Sequence, residues 1–149
     1  MPVDRQLVAS GAVWEQVVGY SRAVRVGSWV SVSGTTAARR ESGPVGGTDI
    51  AEQTREAIRR IAAALEKAGA GLGDVVRTRM FTTDISRWEE IGRAHGEFFA
   101  DIRPASSLLE VRALIEPDLL IEIEADAVIA TSDLHAPAFP IDSAGEPSM

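Results

Sequence analysis

The stretch Leu119–Ala130, LLIEIEADAVIA, carries Glu122, Glu124 and Asp126 at every second position. Strand side chains alternate between two faces, so Ile121, Ile123, Ala125 and Ala127 point one way and the three acids the other. Few architectures accept such a segment. Its apolar side needs a cover of helices or a second sheet. Its acidic side must be wet, cross-paired with arginines, or occupied with chemistry.

The rest of the chain supplies the partners for that strand. Arg22 to Gly34, RAVRVGSWVSVSG, predicts two short strands joined at Gly27-Ser28, with Val24, Val26, Val30 and Val32 as β-branched members. Gly, Pro and charge dominate Ala38 to Asp49, which predicts a loop. Thr54, Ile58, Ile61, Ala62 and Leu65 recur at helical spacing; Asp49 with Glu52 resembles a capping box, and Gly69 suits a helix end. Asp74 to Asp84 predicts a strand with Arg77, Arg79 and Phe81 on one face and Val76, Thr78 and Met80 on the other. Ser86 and Glu89 form a second capping-box pattern before an apolar stripe of Trp88, Ile91, His95, Phe98 and Phe99. A further strand is expected at about Ser107 to Leu114, ahead of the acidic one. The order is hairpin, helix, strand, helix and two strands: an α+β sandwich of a mixed sheet with both helices on one face.

One domain is expected over residues 1–133, followed by a flexible C-terminal tail over 134–149 that holds three of the seven prolines. Valines and isoleucines such as Val24, Val30 and Ile121 are more apolar than an uncovered sheet face tolerates, which predicts self-association. A net charge of −7 with no offsetting basic stripe argues against nucleic acid or an anionic membrane as partner. The absence of cysteine excludes disulfides, thiolate metal sites and thiol nucleophiles, and His95 and His135 alone do not make a multi-histidine metal site. Neither a metal nor a cofactor is expected. Without a signal peptide or an apolar run near the roughly 20 residues of a membrane span, a cytoplasmic location is the expectation.

Nucleotide-binding glycine loops, HExxH and GxSxG are all missing from the sequence. His95, on an apolar helical stripe, is expected to be a hydrogen-bonded core residue, and His135 a solvated one. Carboxylates, arginines, hydroxyls and Tyr20 remain as chemical actors.

Three segments, GYSRAVRVGSWVSVSGTTA (Gly19–Ala37), VVRTRMFTTDISRWEEIGRAHGEFF (Val75–Phe99) and RPASSLLEVRALIEPDLLIEIEADAV (Arg103–Val128), together resemble the RidA/YjgF/YER057c/UK114 superfamily. The resemblance runs over about residues 10 to 130, in matching order. It implies a chorismate-mutase-like fold, a homotrimer, and ligand clefts between subunits. The best-known members hydrolyse reactive enamines and imines to a keto acid and ammonia.

Carried over residue by residue, the family's tyrosine is Tyr20, its Ser-Gly after the second strand is Ser33-Gly34, and its water-handling glutamate is Glu122. The arginine with which the deaminating members grip a substrate carboxylate has become Ser106, within Pro104-Ala105-Ser106-Ser107, and a pocket asparagine has become Gly92. A neutral hydroxyl does not replace a bidentate cation. Arg103, next to Pro104, and Arg22, beside Tyr20 and Ser21, are the candidate substitutes, each otherwise an ordinary surface charge. For Glu124 and Asp126 the plain expectation is ion pairing with Arg77, Arg79 or Arg112.

Two functions follow from this reading. The first is a hydrolase of a small imine-, enamine- or amide-like metabolite. Glu122 would guide water, Tyr20, Ser106 and Ser107 would supply hydrogen bonds, and the Ser33-Gly34 backbone would polarise the reacting group. The second is a non-catalytic trimeric protein that binds a small ligand or protects against stress. The loss of the arginine makes deamination of 2-aminoacrylate doubtful under either.

Overall fold

The computed structural model describes residues 4–130; the expected tail and His135 lie outside the described residues. Six strands form one mixed sheet: β1 (Arg5–Val8), β2 (Ala23–Val26), β3 (Trp29–Thr35), β4 (Val75–Thr82), β5 (Ala105–Glu110) and β6 (Ile121–Val128). Their spatial order is β1-β2-β3-β6-β4-β5. Only β4 and β5 run parallel, and the helix α3 (Trp88–Phe99) makes the crossover that such a pair requires. The longer helix α2 (Ile50–Lys67) links β3 to β4, and β6 fills the place between those two strands.

The core lies between α2, α3 and one face of the sheet. Ile50, Ile58, Ile61 and Leu65 of α2 are fully buried at helical spacing, against Val30 of β3 and Ile121, Ile123 and Ala127 of β6. The β6 alternation runs without a break from Ile121 to Val128: Ile121, Ile123, Ala125 and Ala127 are buried, and the three acids, with Val128, are half-exposed on the opposite face. Gln53, also fully buried, ties α2 to the approach of β6. Its amide donates to Gly47 O (2.7 Å) and Asp118 O (3.0 Å) and accepts from Leu120 N (2.9 Å). Thr82 donates to Leu120 O (2.8 Å). Every polar atom of that buried amide is thereby used, and the start of β6 is fixed from two sides.

Several expectations need correction. Val30 and Ile121 face the helices, not the open side, so the case for self-association cannot rest on them; Val24, opposite Ser31, does lie on the open side. The open face carries Ser31, Glu122, Glu124, Asp126 and Arg79, with exposed Trp29 and Leu109 at its margins. Val76 is exposed because a register shift between Val75 and Arg77 turns it out of the core. The Asp49 cap holds, accepting from Glu52 N, but Ser86 caps nothing. Asp84 instead accepts from Ser86 N at the head of a short 3₁₀ turn, and α3 starts at Trp88. Strand β5 covers Ala105–Glu110, earlier than expected. Edge strand β1 and a third helix, α1 (Val13–Val18), were not foreseen.

Candidate functional site

A cleft of about 1230 Å³ is lined by Tyr20, Arg22, Ser33, Gly34 and Glu122 together with residues of α1, α2 and the loop before β6. Residues expected at a site from the sequence thus meet in one place. The irregular pairing of β3 with β6 explains how. Val32 opposes Ala125 and Thr35 opposes Ile123, so β3 carries one extra residue between them, at Ser33-Gly34. The bulge takes two residues out of the regular ladder beside Glu122.

The contact between Gly34 and Glu122 is close: a β-carbon at position 34 would stand 2.9 Å from Glu122 Cδ. Glycine is therefore what lets the carboxyl lie against the β3 backbone. Burial pushes the Glu122 carboxyl above its ordinary value, the neighbouring Glu124 charge adds to this, and Arg22 pulls the other way. Among the described residues no ion pair involves Glu122. Glu124 and Asp126, in contrast, are both held by Arg79, whose Nη1 lies 3.1 Å from Glu124 Oε1 and 3.3 Å from Asp126 Oδ2. Ser31 also donates to Asp126 (2.9 Å). The expected cross-strand pairing accounts for two of the three acids and leaves Glu122 apart.

Arg22 enters the cleft from the segment just before β2. Its Nη2 donates to Gly34 O (2.7 Å), while its buried Nε has no partner. Burial lowers its pKa, and Tyr20, Glu15 and Glu122 oppose that. Ser33 spends its hydroxyl on Ser21 O (2.6 Å), which holds the chain that carries Tyr20 and Arg22 against β3. Glu15 of α1 is buried and accepts from Ser10 N (3.0 Å), Ser10 Oγ (3.1 Å) and Ala12 N (2.9 Å), closing the turn that leads into the helix.

Arg103, Ser106 and Ser107 are not in this cleft. Arg103 is exposed, has a positive φ of 54°, and ends α3 with its N–H on Phe99 O (2.8 Å). Ser107 is exposed opposite Arg79. Ser106 pairs with Thr78, and through it with the helix side of the sheet, whereas Glu122 pairs with Phe81 on the open side. The Ser106 hydroxyl is 2.8 Å from Thr78 Oγ1, which is 2.9 Å from His95 Nε2. His95 stacks on Phe99 with ring centroids 4.5 Å apart, and burial lowers its pKa. It is hydrogen-bonded, as its place on the stripe suggested, but only half-buried at the edge of the core. Gly92 is exposed, with open space where a β-carbon would be. Among the described residues no cluster of three or more His, Asp or Glu side chains could hold a metal, and no helix is long and apolar enough to cross a membrane.

Comparison with known proteins gives this geometry a family. The model described as Endoribonuclease L-PSP matches residues 7–129. A member of the YjgF/YER057c/UK114 family from Mycobacterium tuberculosis is 56% identical and superposes with a TM-score of 0.78, covering 85% of this chain and 100% of that one. A RutC family protein of Pyrococcus abyssi is 38% identical over 72% of this chain and 84% of its own. The 2-iminobutanoate/2-iminopropanoate deaminase of Escherichia coli K12 is 33% identical over 73% of this chain and 86% of its own.

Proposed function

From a chain that belongs to the RidA/YjgF/YER057c/UK114 superfamily, with its chorismate-mutase-like fold, we propose a hydrolase of small 2-imino acids or their enamine tautomers. It acts in clefts completed by a neighbouring subunit of a homotrimer. The observation that carries this reading is Glu122: a half-buried carboxyl with a raised pKa and no ion pair among the described residues, in the same cleft as a cation and a phenol. Relatives at about a third identity are iminobutanoate/iminopropanoate deaminases, which supports the reaction class.

In the proposed reaction Glu122 takes a proton from water as the water oxygen bonds to the imine carbon. That proton passes to nitrogen, which has taken the electrons of the C=N double bond, and a carbinolamine results. Glu122 then takes the hydroxyl proton and delivers it to the amino nitrogen; the C–N bond breaks, ammonia leaves with its electron pair, and the electrons of the O–H bond close the keto group. A carboxyl that burial lifts toward neutrality suits both halves of that transfer. Tyr20 orients the substrate by hydrogen bonding, and the backbone at Ser33-Gly34 faces the reacting group. Arg22 holds the substrate carboxylate, the task of the arginine that Ser106 replaces, with the Nη protons that Gly34 O does not take. Ser106, Ser107 and Arg103, remote from Glu122 in one chain, reach the cleft only from a neighbour.

The alternative is a trimeric ligand-binding or stress-protective protein without turnover, which the serine at position 106 favours. The two separate when 2-iminopropanoate is generated in place and keto-acid formation is followed. Acceleration that disappears in Glu122→Ala supports the hydrolase; no acceleration by the wild-type protein removes it.

A further inference from the structure

Thr78 spends its hydroxyl unlike the other buried threonines. Thr35, Thr54 and Thr82 each donate to a backbone carbonyl, of Ser33 (2.7 Å), Ile50 (2.7 Å) and Leu120 (2.8 Å) respectively. Thr78 Oγ1 instead stands between two side chains, 2.8 Å from Ser106 Oγ and 2.9 Å from His95 Nε2. One partner satisfies a buried hydroxyl. The second joins an exposed serine to an imidazole.

The fold builds that line from three elements. The parallel register sets Thr78 of β4 beside Ser106 of β5, and the crossover helix α3 brings His95 onto them. The ring is pinned by its stacking on Phe99, which is buried. Burial alone lowers the His95 pKa; Thr78, which it touches, and Ser106 behind it carry no charge. The imidazole is therefore a neutral base at pH 7. Thr78 has a single hydroxyl proton to give. With that proton directed at His95 Nε2, the Ser106 proton turns inward to Thr78 and the serine lone pairs face out. A hydroxyl connected in this way to a base held in place by a third group is the arrangement of an activated nucleophile. Ser107, also exposed, points to the other face opposite Arg79 and is joined to no imidazole.

We infer that Ser106 is a nucleophile activated by His95 through Thr78, a site for acyl donors whose leaving group departs as an anion: aryl esters and thioesters. Ser106 Oγ bonds to the acyl carbon as its proton passes to Thr78 Oγ1 and the Thr78 proton to His95 Nε2. The carbonyl electrons move onto oxygen and then return. The bond to the leaving group breaks, and phenolate or thiolate departs with the electron pair. His95, half-buried, gives its added proton to solvent. Strand β5 lies at the edge of the sheet, so its outward N–H groups are unpaired within the chain and supply donors for the carbonyl oxygen. The site stands apart from the proposed imine hydrolase, whose acid, Glu122, is on the open side of the sheet beside Phe81.

4-Nitrophenyl acetate, given to the full-length protein, tests it. Release of 4-nitrophenolate and peptide mass mapping follow acetyl transfer. Ser106 is expected to be acetylated at least tenfold faster than Ser107. The rate should be level from pH 7 to 8, where His95 is already neutral; an unassisted hydroxyl instead reacts in proportion to hydroxide. His95→Phe and Thr78→Val are expected to slow acetylation at least tenfold, since a general base contributes roughly 10²–10⁴-fold. Thr78→Ser, which keeps the hydroxyl and serves where Thr78→Val folds poorly, should preserve the rate. The nitrogen NMR spectrum of His95 adds a readout without reaction: Nε2 should be the unprotonated nitrogen of the neutral ring. Equal labelling of Ser106 and Ser107, no acetyl group on Ser106, or an unchanged rate in folded His95→Phe overturns the inference. So does a proton on Nε2 of the neutral ring, which would make His95 the donor and remove the base.

Discussion

Glu122 rests against Gly34 so closely that a β-carbon there would sit 2.9 Å from its Cδ and 3.2 Å from each carboxylate oxygen. The atoms in the way are the end of a flexible side chain, not backbone. Gly34→Ala is therefore expected to fold, with a melting temperature within about 2–4 °C of wild type, the shift of roughly 1 kcal/mol. The carboxyl must swing away, and a displacement of about 1 Å from a productive geometry costs roughly a hundredfold in turnover. Kinetics and thermal melting of the same preparation check this; unchanged kcat in Gly34→Ala would show that the contact positions nothing.

Glu122 also sets a pH dependence of stability. Its folded pKa lies above the unfolded value of about 4.5, because burial and Glu124 outweigh Arg22. Between the two values the native state binds more protons than the unfolded chain, so the contribution is fully present below about pH 4.5 and is lost as pH rises through the folded pKa. Glu122→Gln removes that loss. The variant is expected to be more stable than wild type at pH 7 to 8, by no more than about 1 kcal/mol for a half-exposed group, and to show no such advantage at pH 4. It is expected to be inactive throughout. Melting curves across that range decide it: a variant less stable at neutral pH would contradict the raised pKa.

Arg79 acts on the same acid from a distance. It neutralises Glu124 and Asp126, the two carboxylates that share the open face with Glu122. In Arg79→Met the uncompensated Glu124 charge pushes Glu122 further up, so less of it is ionised at mildly acidic pH. The acid limb of the pH–rate profile is expected to move to higher pH, the rate on that limb falling by up to roughly fivefold, the range an exposed ion pair allows. Above that limb the rate should hold, and 1 M salt should narrow the difference. A pH–rate profile superimposable on wild type at low salt would separate Arg79 from the chemistry.

The elements that were legible in the sequence are those with strong periodicity and large buried faces. Strand β6 showed its alternation, α2 its stripe from Thr54 to Leu65 and its Asp49 cap, and the β2–β3 hairpin its Gly27, which has a φ of 60°. Strand β1 escaped because four residues, three of them exposed, at a sheet edge carry almost no pattern. Helix α1 escaped because Val13, Trp14, Val17 and Val18 are poor helix formers that remain outside the core, so no apolar-in, polar-out contrast exists. At the site, Tyr20, Ser33, Gly34 and Glu122 were placed by family likeness, and the structure gathers them. Arg22 was one of two candidate cations, and no periodicity could choose between it and Arg103. What brings Arg22 into the cleft is the β3 bulge, whose Gly34 carbonyl receives it.

Thr78 is fully buried and links Ser106 to His95. Thr78→Val keeps the shape but removes the shared hydroxyl, leaving a half-buried imidazole nitrogen without its partner. A loss of about 1–3 kcal/mol is expected, from the cost of an unsatisfied buried polar group. Thr78 itself is fully buried and Ser106 keeps its own hydroxyl, so KM for an imino acid should be unchanged. Chemical denaturation and KM measured side by side check it; a raised KM with normal stability would move Thr78 into the ligand site.

Ser106 gives a test of the shared cleft. In one chain the sheet separates it from Glu122: Ser106 lies beside Thr78 on the helix side, and Glu122 beside Phe81 on the open side. An arginine introduced there can reach Glu122 only in another subunit. Ser106→Arg is expected to lower KM for 2-iminopropanoate by roughly tenfold or more, since a charged hydrogen bond contributes about 1.5–3 kcal/mol. It should also cost some stability through the lost Thr78 contact. Mixing locates the effect. Subunits carrying both Ser106→Arg and Glu122→Gln are inactive alone, so any low-KM activity after mixing with wild type must combine the new cation of one chain with Glu122 of the next. The particles should have a mass about three times the 15.9 kDa chain. If the mixture shows only wild-type KM, or the protein is monomeric by light scattering, the cleft is complete within one chain and Arg22 alone must serve the substrate carboxylate.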